Sequence, residues 1–310
     1  MNNPRINSRF FAAQIQTPFA VQVLTLVIVI AIWELIGRTG ILFDELFPPM
    51  LDILQSLWGF LTTPLLLPHL KASLYEVGGA LVLAMITAIP LGILSAARRD
   101  TLFDQFTRVI SLVGVSIPVF WLGLIGILVF YAGLGWAPPP GRLSADIVPP
   151  PFVTGFLVLD GLLAGRIDVV TDALRHLVLP AIVLSSYGLG IITRMMRGSM
   201  LEVLAEDYIR TATAKGLSNR AVLLRHAARN GLIPVLTVIG LSFGGLLSGT
   251  VVTESVFAWP GLGLYAFRSA TSFDSPAIMG VGVVIAMIYV LVNLVVDVLY
   301  GFADPRIRMA

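Results

Sequence analysis

Runs of mainly apolar residues recur six times along the chain, at about 19–37, 73–97, 109–134, 174–193, 232–252 and 277–300. About 20 such residues, rising roughly 1.5 Å each as a helix, cross about 30 Å of hydrocarbon. The third and fifth runs contain no charged residue; the others carry one or a few, mostly near their ends. Lipid offers no partner to a free backbone N–H or C=O, so each run is expected to be helical. The pattern predicts an all-α integral membrane protein with six spanning helices. Residues 1–70 would form a tail, a first span and an amphipathic segment. Residues 71–300 would form the main bundle, with a polar elbow at about 198–231, and 301–310 a closing tail.

The segments between the runs differ in kind. After Phe47-Pro48-Pro49, the spacing of Leu51, Leu54, Leu57, Trp58 and Leu61 predicts an amphipathic helix lying at the membrane surface. Residues 135–172 hold Pro138-Pro139-Pro140 and Pro149-Pro150-Pro151, which make stiff, extended spacers. Arg5 and Arg9 before the first run suggest a secretory signal, but that run is too long and no Ala-x-Ala-like site follows it. It is expected to be an uncleaved anchor that leaves the membrane at Glu34–Arg38. Pro118 and Pro180 are expected to kink the third and fourth spans.

Composition sharpens this. Of 310 residues, 57% are hydrophobic and 12% charged, with a mean hydropathy of +0.91. Soluble domains carry about 25% charged residues, so an ordinary cytosolic domain and a disordered chain are both excluded. With the N-terminus placed in the cytoplasm, fourteen of the 20 Lys and Arg residues fall on the inner side and six on the other. The six are Arg38, Lys71, Arg142, Arg166, Arg175 and Arg268. That bias predicts an N-in, C-in topology. The net charge of +2 is spread over short loops, which is no footprint for nucleic acid.

Several chemistries lack their residues. There is no cysteine, hence no disulfide, thiolate site or thiol nucleophile. Lys71 precedes Ala72 and Lys215 precedes Gly216, so neither lysine sits in an ATPase phosphate loop. His69, His176 and His226 lie far apart, without metal-binding spacing. The match Gly240-Leu241-Ser242-Phe243-Gly244 lies inside an apolar run rather than at a strand-to-helix turn. Gly261-Leu262-Gly263 lacks the strand that a dinucleotide fingerprint follows. No catalytic, cofactor or metal site is expected.

Residues 194–234 are the long polar stretch on the inner side, holding seven bases and the acids Glu202, Glu206 and Asp207. They read as helix, glycine turn, helix. Ser199 is expected to cap the first helix, with Glu202 completing a capping box. Met200, Leu201, Leu204, Tyr208 and Thr211 would form one stripe. Gly216 is placed like a left-handed helix terminator, and Ser218 like the cap of a second helix whose Val222, Leu223 and His226 share a face. A solvated basic loop has no use for such a stripe, and so short a helix pair has no core of its own. It must tuck under the bundle or dock on a partner.

The stretch Asp207-Tyr208-Ile209-Arg210-Thr211-Ala212-Thr213-Ala214-Lys215-Gly216-Leu217-Ser218 resembles the coupling signature of ABC-importer permeases, in the form used by the dipeptide/oligopeptide/nickel family. His226, Arg229-Asn230, Ile233-Pro234, Thr253 through Gly263, Val292 through Tyr300 and Asp304-Pro305-Arg306 fit it too. So do Pro90-Leu91-Gly92 and Ser116-Ile117-Pro118-Val119-Phe120-Trp121-Leu122-Gly123. Arg210-Thr211-Ala212 stands where the wider superfamily has Glu-Ala-Ala. The first 70 residues lack the Leu-Pro-Gly-Asp-Pro stretch usual in the family's B-type subunits, and Trp33-Glu34-Leu35-Ile36-Gly37 through Phe47-Pro48-Pro49 looks more like sulfonate/nitrate-type permeases.

The resemblance implies a six-helix type I permease in a bacterial inner membrane. Its partners would be a second permease, two ATPase subunits that bind ATP-Mg, a periplasmic or lipid-anchored solute-binding protein, and membrane lipid. It assigns ATPase coupling to Asp207, Tyr208, Arg210, Thr211, Ala212, Lys215, Gly216, Leu217 and His226. Glu254, Trp259, Pro260 and Gly261 are expected to form an outer gate, with Trp259 as an interfacial anchor. Gly240, Gly244 and Ser248, at small-xxx-small spacing, are expected to pack helices closely, within the subunit or against the second permease. Asp297 is expected to pair with Arg194 or Arg197. The alternative is an autonomous secondary transporter or channel, which needs intramembrane carboxylates and paired interrupted helices.

Overall fold

The structure is a computed structural model that describes residues 19–40, 47–62 and 66–303; for Ser248, Asp297 and residues 299–303 only the backbone is described. The tail from 304 on, with Arg306 and Arg308, and the segment holding Arg5 and Arg9 lie outside the described residues.

Helix α1 (Phe19–Thr39) buries only Gly37, as a helix surrounded by lipid would. Its end is pinned to the next helix. Trp33 stacks on Phe47 at 4.4 Å and its Nε1 donates to the Pro48 carbonyl at 3.2 Å. Glu34 accepts from the Leu51 amide and from Arg38. Helix α2 (Met50–Thr62) buries Ile53 and Phe60. Leu51, Leu54, Trp58 and Leu61 of the predicted stripe are exposed.

Helix α3 (Leu66–Ala97) and helix α7 (Ile167–Leu204) form the axis of the bundle. Small residues let them approach: Gly79 meets Leu177, Ala84 meets Gly188, and Gly92 meets Met196. Those pairings ascend together, so the two helices run parallel. The chain must cross the bundle once between them.

That crossing is where the kink expected at Pro118 is found, as a sharp bend. The run at 109–134 is not one straight span. It is α4 (Leu102–Ser116) and α5 (Val119–Gly126), the latter continuing as a π-helical stretch over Ile127–Gly133, with a 100° bend between them. Proline pushes the residue before it out of the helical region, and Ile117 sits at φ −85°, ψ 129°. Hydropathy carries no trace of the bend. The two pieces still climb α7 in order: Ser111 faces Gly190, Gly114 faces Ser186, and Gly126 faces Leu179. This is a broken span.

Helix α6 (Leu157–Leu163) follows the proline-rich loop. Helix α7 is 38 residues long, nearly twice the predicted run, and keeps Pro180 inside it. After the elbow, α8 (Asp207–Ala214) and a short turn α9 (Asn219–Ala221) lead through a π-helical stretch at Val222–Ala227 into α10 (Ala228–Val256). Helix α10 runs antiparallel to α7, with Gly231 against Met200, Gly245 against Tyr187 and Gly249 against Leu184. A short α11 (Leu262–Thr271) folds back on α10, and α12 (Ser275–Ala303) closes the bundle against α10 and α2. Gly240 meets Val296 and Gly244 meets Tyr289 so closely that neither has room for a Cβ. Gly240 and Gly244 of α10 thus face α12 of the same chain.

Candidate functional site: the polar elbow and the turn at the opposite end

The elbow is built differently from its sequence reading. Ser199 does not cap a helix; it is buried within α7. Residues 194–204 are mostly good helix formers, with Gly198 the one weak position and no proline, so α7 runs through them. The break falls at Ala205-Glu206, and Glu206 precedes α8 with extended backbone and no side-chain cap. The predicted stripe is interrupted there. Met200 is buried, but Tyr208 and Thr211 are exposed. The residues of α8 that face inward are Ile209 and Ala212. They join one cluster with Met196, Met200, Val222, Ala227 and Ala228.

Tyr208 Oη also accepts from Asn230 Nδ2 at 2.7 Å, tying α8 to the root of α10. Gly216 has φ +77°, the left-handed conformation that glycine takes at least cost. Ser218 Oγ accepts from the Ala221 amide at 3.4 Å. His226 is half-buried in the π-helical stretch. The other side of the elbow, with Asp207, Arg210, Thr211, Lys215 and Leu217, is exposed. Asp207 and Arg210 pair with each other at 3.1 Å. The elbow thus has an inner face fastened to the bundle and an exposed outer face.

Just above it a buried ion pair ties the broken span to α7. Asp104, at the start of α4, accepts from Arg197 Nε at 2.6 Å, from Arg197 Nη2 at 2.7 Å and from Ser95 Oγ at 2.5 Å. Arg194 or Arg197 is the partner expected for Asp297; Arg197 bonds Asp104, and the Asp297 side chain lies outside what is described. Hydropathy reading missed this pair, whose only local signal is one acid and one base set beside apolar runs.

At the opposite end, the turn after α10 is closely fastened. Trp259 is not an interfacial anchor. It is fully buried, stacks on Tyr75 at 6.0 Å, and its Nε1 donates to the Ala72 carbonyl at 2.9 Å. Glu254 is fully buried, accepts from Ser73 Oγ and from the Leu264 amide at 2.9 Å, and occupies the space a Cβ on Gly261 would need. The Pro260 carbonyl lies 3.0 Å from His69 Nδ1, and the Leu262 amide donates to Ser73 Oγ at 2.8 Å. Glu254, Trp259, Pro260 and Gly261 therefore form one locked corner. Sequence reading missed its partners Ser73 and Tyr75, which lie far away along the chain.

The proline-rich loop is held down on this end. Asp160 accepts from the Thr154 amide and hydroxyl at 2.6 Å each and from the Gly155 amide at 2.9 Å. Burial alone would raise its carboxyl, but these bonds outweigh burial and hold it below the usual aspartate value. Arg142 lies over the Trp259 ring at 5.5 Å, and burial lowers its guanidinium from the usual value. Among the described residues no group of three or more His, Asp or Glu side chains is placed to hold a metal.

Residues 88–309 match the family described as the binding-protein-dependent transport system inner membrane component. The chain belongs to this permease family. The permease is 52% identical over 229 residues to a probable D,D-dipeptide transport system permease protein of Escherichia coli K12, covering 74% of this chain and 67% of that one. It is 48% identical over 231 residues to a di/tripeptide transport system permease of Pseudomonas aeruginosa, covering 74% and 68%. It is 42% identical over 258 residues to a dipeptide transport system permease of Alkalihalophilus pseudofirmus, covering 83% and 74%. Its fold matches the inward-facing MetNI methionine ABC transporter with a TM-score of 0.56 at 14% identity, over 82% of this chain and 97% of that one. The permease is thus an inner-membrane ABC-importer subunit of the type I fold, with no catalytic role of its own. Its family works with ATPase and solute-binding partners.

Proposed function

We propose that the permease forms half of an ATP-driven uptake pathway for di- or oligopeptides. A second permease would complete the pathway, two ATPase subunits binding ATP-Mg would sit beneath it, and an extracytoplasmic binding protein would deliver the peptide. The peptide assignment is supported by the names of the three relatives above. The topology is N-in, C-in, which puts the elbow in the cytoplasm.

One observation carries the mechanism: the elbow's inner face is fastened to the bundle by Ile209, Ala212 and the Tyr208–Asn230 bond, and its outer face is free. A knuckle built so transmits a push. Asp207, Arg210, Thr211, Lys215 and Leu217 offer the surface on which an ATPase subunit docks. Tyr208, Ala212, Gly216 and His226 keep that surface in shape. Closure of the ATPases drives the two elbows together and tilts the helices they terminate. The corner at Glu254, Trp259, Pro260 and Gly261 belongs to the outer gate, and its fastening to α3 makes it move with that helix.

The test is uptake of a labelled dipeptide into proteoliposomes holding the complete importer. Deleting residues 207–218 is expected to abolish ATP-dependent uptake while the permease still inserts and pairs with the second permease. Undiminished uptake by the deleted form would overturn the assignment.

A further inference from the structure

A cavity of about 290 Å³ opens beside the upper half of α7. Phe130 and Trp136 wall one side, and Val178, Leu179 and Ile182 the other. The one charged side chain that lines it is Arg175. The aromatic wall is preformed: Gly135 takes φ +64°, and the amides of Trp136 and Ala137 both donate to the Phe130 carbonyl, at 2.7 and 3.0 Å.

Arg175 is exposed and makes no hydrogen bond or ion pair among the described residues. A partner stands one turn away, at Asp172, but that carboxylate is already engaged. Its Oδ2 accepts from the Ser144 amide at 2.7 Å and lies 3.3 Å from His176 Nδ1; its Oδ1 accepts from Ser144 Oγ at 2.8 Å. Stapling the proline-rich loop to α7 thus uses the acid that would otherwise neutralise Arg175. A guanidinium left open beside an apolar cavity is a fork of N–H donors shaped for a carboxylate.

We propose that Arg175 and this cavity receive the carboxyl end of a passing peptide, with the guanidinium gripping the terminal carboxylate and the last side chain between Phe130, Trp136 and Val178. The inference rests on the peptide reading above and adds to it a specificity-determining residue. A volume of about 290 Å³ falls just below the roughly 300–1,000 Å³ common to small-molecule pockets. It suits one or two residues of a peptide better than the paired long chains of a phospholipid. An apolar box with a single cation selects for a free carboxyl terminus and an apolar last residue.

The experiment uses the complete importer in nanodiscs with its binding protein loaded with a dipeptide ending in a photoreactive benzoylphenylalanine. Irradiation is expected to attach the probe to the segments around Phe130 or Val178. Arg175→Gln is expected to cut that labelling about tenfold and to raise the KM of uptake by a similar factor, with Arg175→Lys in between. Wild-type and variant share one binding protein, so its own preference cancels. Labelling elsewhere, or equal labelling of Arg175→Gln, overturns the proposal. So does phospholipid found in the cavity together with a variant phenotype that tracks the anionic lipid content, which makes Arg175 a lipid anchor. If the wild-type importer takes up no peptide at all, the peptide reading falls as well. Uptake without cavity labelling sinks this inference alone.

Discussion

Gly216 shows how much one residue decides and how readily a sequence reveals it. A glycine closing a helix, followed two residues on by serine, predicts a left-handed turn and a new cap, and φ +77° with the Ser218 bond is what the chain adopts. A Cβ there meets nothing within 4 Å, so the cost of substitution is purely in the backbone, about 1–2 kcal/mol. Gly216→Val is therefore expected to leave an assembled, ATP-hydrolysing complex with little peptide uptake. Gly216→Asn should recover part of the uptake, because asparagine tolerates that region. The number of ATP molecules consumed per peptide moved is the measurement. Trp259 was not legible in this way: an amphipathic ring at the end of a span reads as an interfacial anchor, and its true partner, the Ala72 carbonyl, is 187 residues away in sequence. Asp160 carries a pH signature. Its carboxyl is depressed in the folded loop, so the unfolded chain binds the proton first as pH falls. The stabilisation is present above about pH 4 and lost as pH drops through the folded value. Protease nicking of the 134–156 loop should accelerate over that acidic range in the wild type. In Asp160→Asn it should already be fast at neutral pH.

Among elements, the junction of α4 with α7 depends most on a single contact. Asp104 is fully buried with Arg197 and Ser95 as partners, and Arg108 stands 3.8 Å away. Removing one member of a buried ion pair leaves the other unpaired and costs about 3 kcal/mol. Asp104→Asn is accordingly expected to lower the thermal midpoint of the purified permease by several degrees. Arg197→Lys, which loses the two-pronged geometry but keeps the charge, should fall between it and wild type. Equal midpoints for Asp104→Asn and wild type would show the pair to be idle. The six apolar runs told where helices lie, because crossing lipid leaves the backbone no alternative. Pro118 marked the bend in the third, but the runs did not tell that it reaches 100° or that α7 runs on to Leu204. Apolarity reports the medium around a helix, and neither a bend within that medium nor a helix continuing beyond it changes apolarity. Gly240 and Gly244 read as a small-residue face for close packing, but their neighbour, α12 of the same chain, appears only in three dimensions.

For the molecule as a whole, the parallel seam of α3 and α7 matters most. Gly79, Ala84 and Gly92 meet Leu177, Gly188 and Met196 along its length, leaving no slack for the two helices to slide separately. One end of α7 carries the stapled loop at Asp172 and the other runs into the elbow at Leu204. Its 38 residues make a rod of about 57 Å, nearly twice the roughly 30 Å thickness of the hydrocarbon it crosses. A swing of about 5° in such a rod carries one tip sideways by about 5 Å relative to the other, close to the pitch of a helical turn. A modest shove on one side of the bilayer therefore becomes, on the far side, a gap about as wide as an extended backbone, with no helix needing to melt.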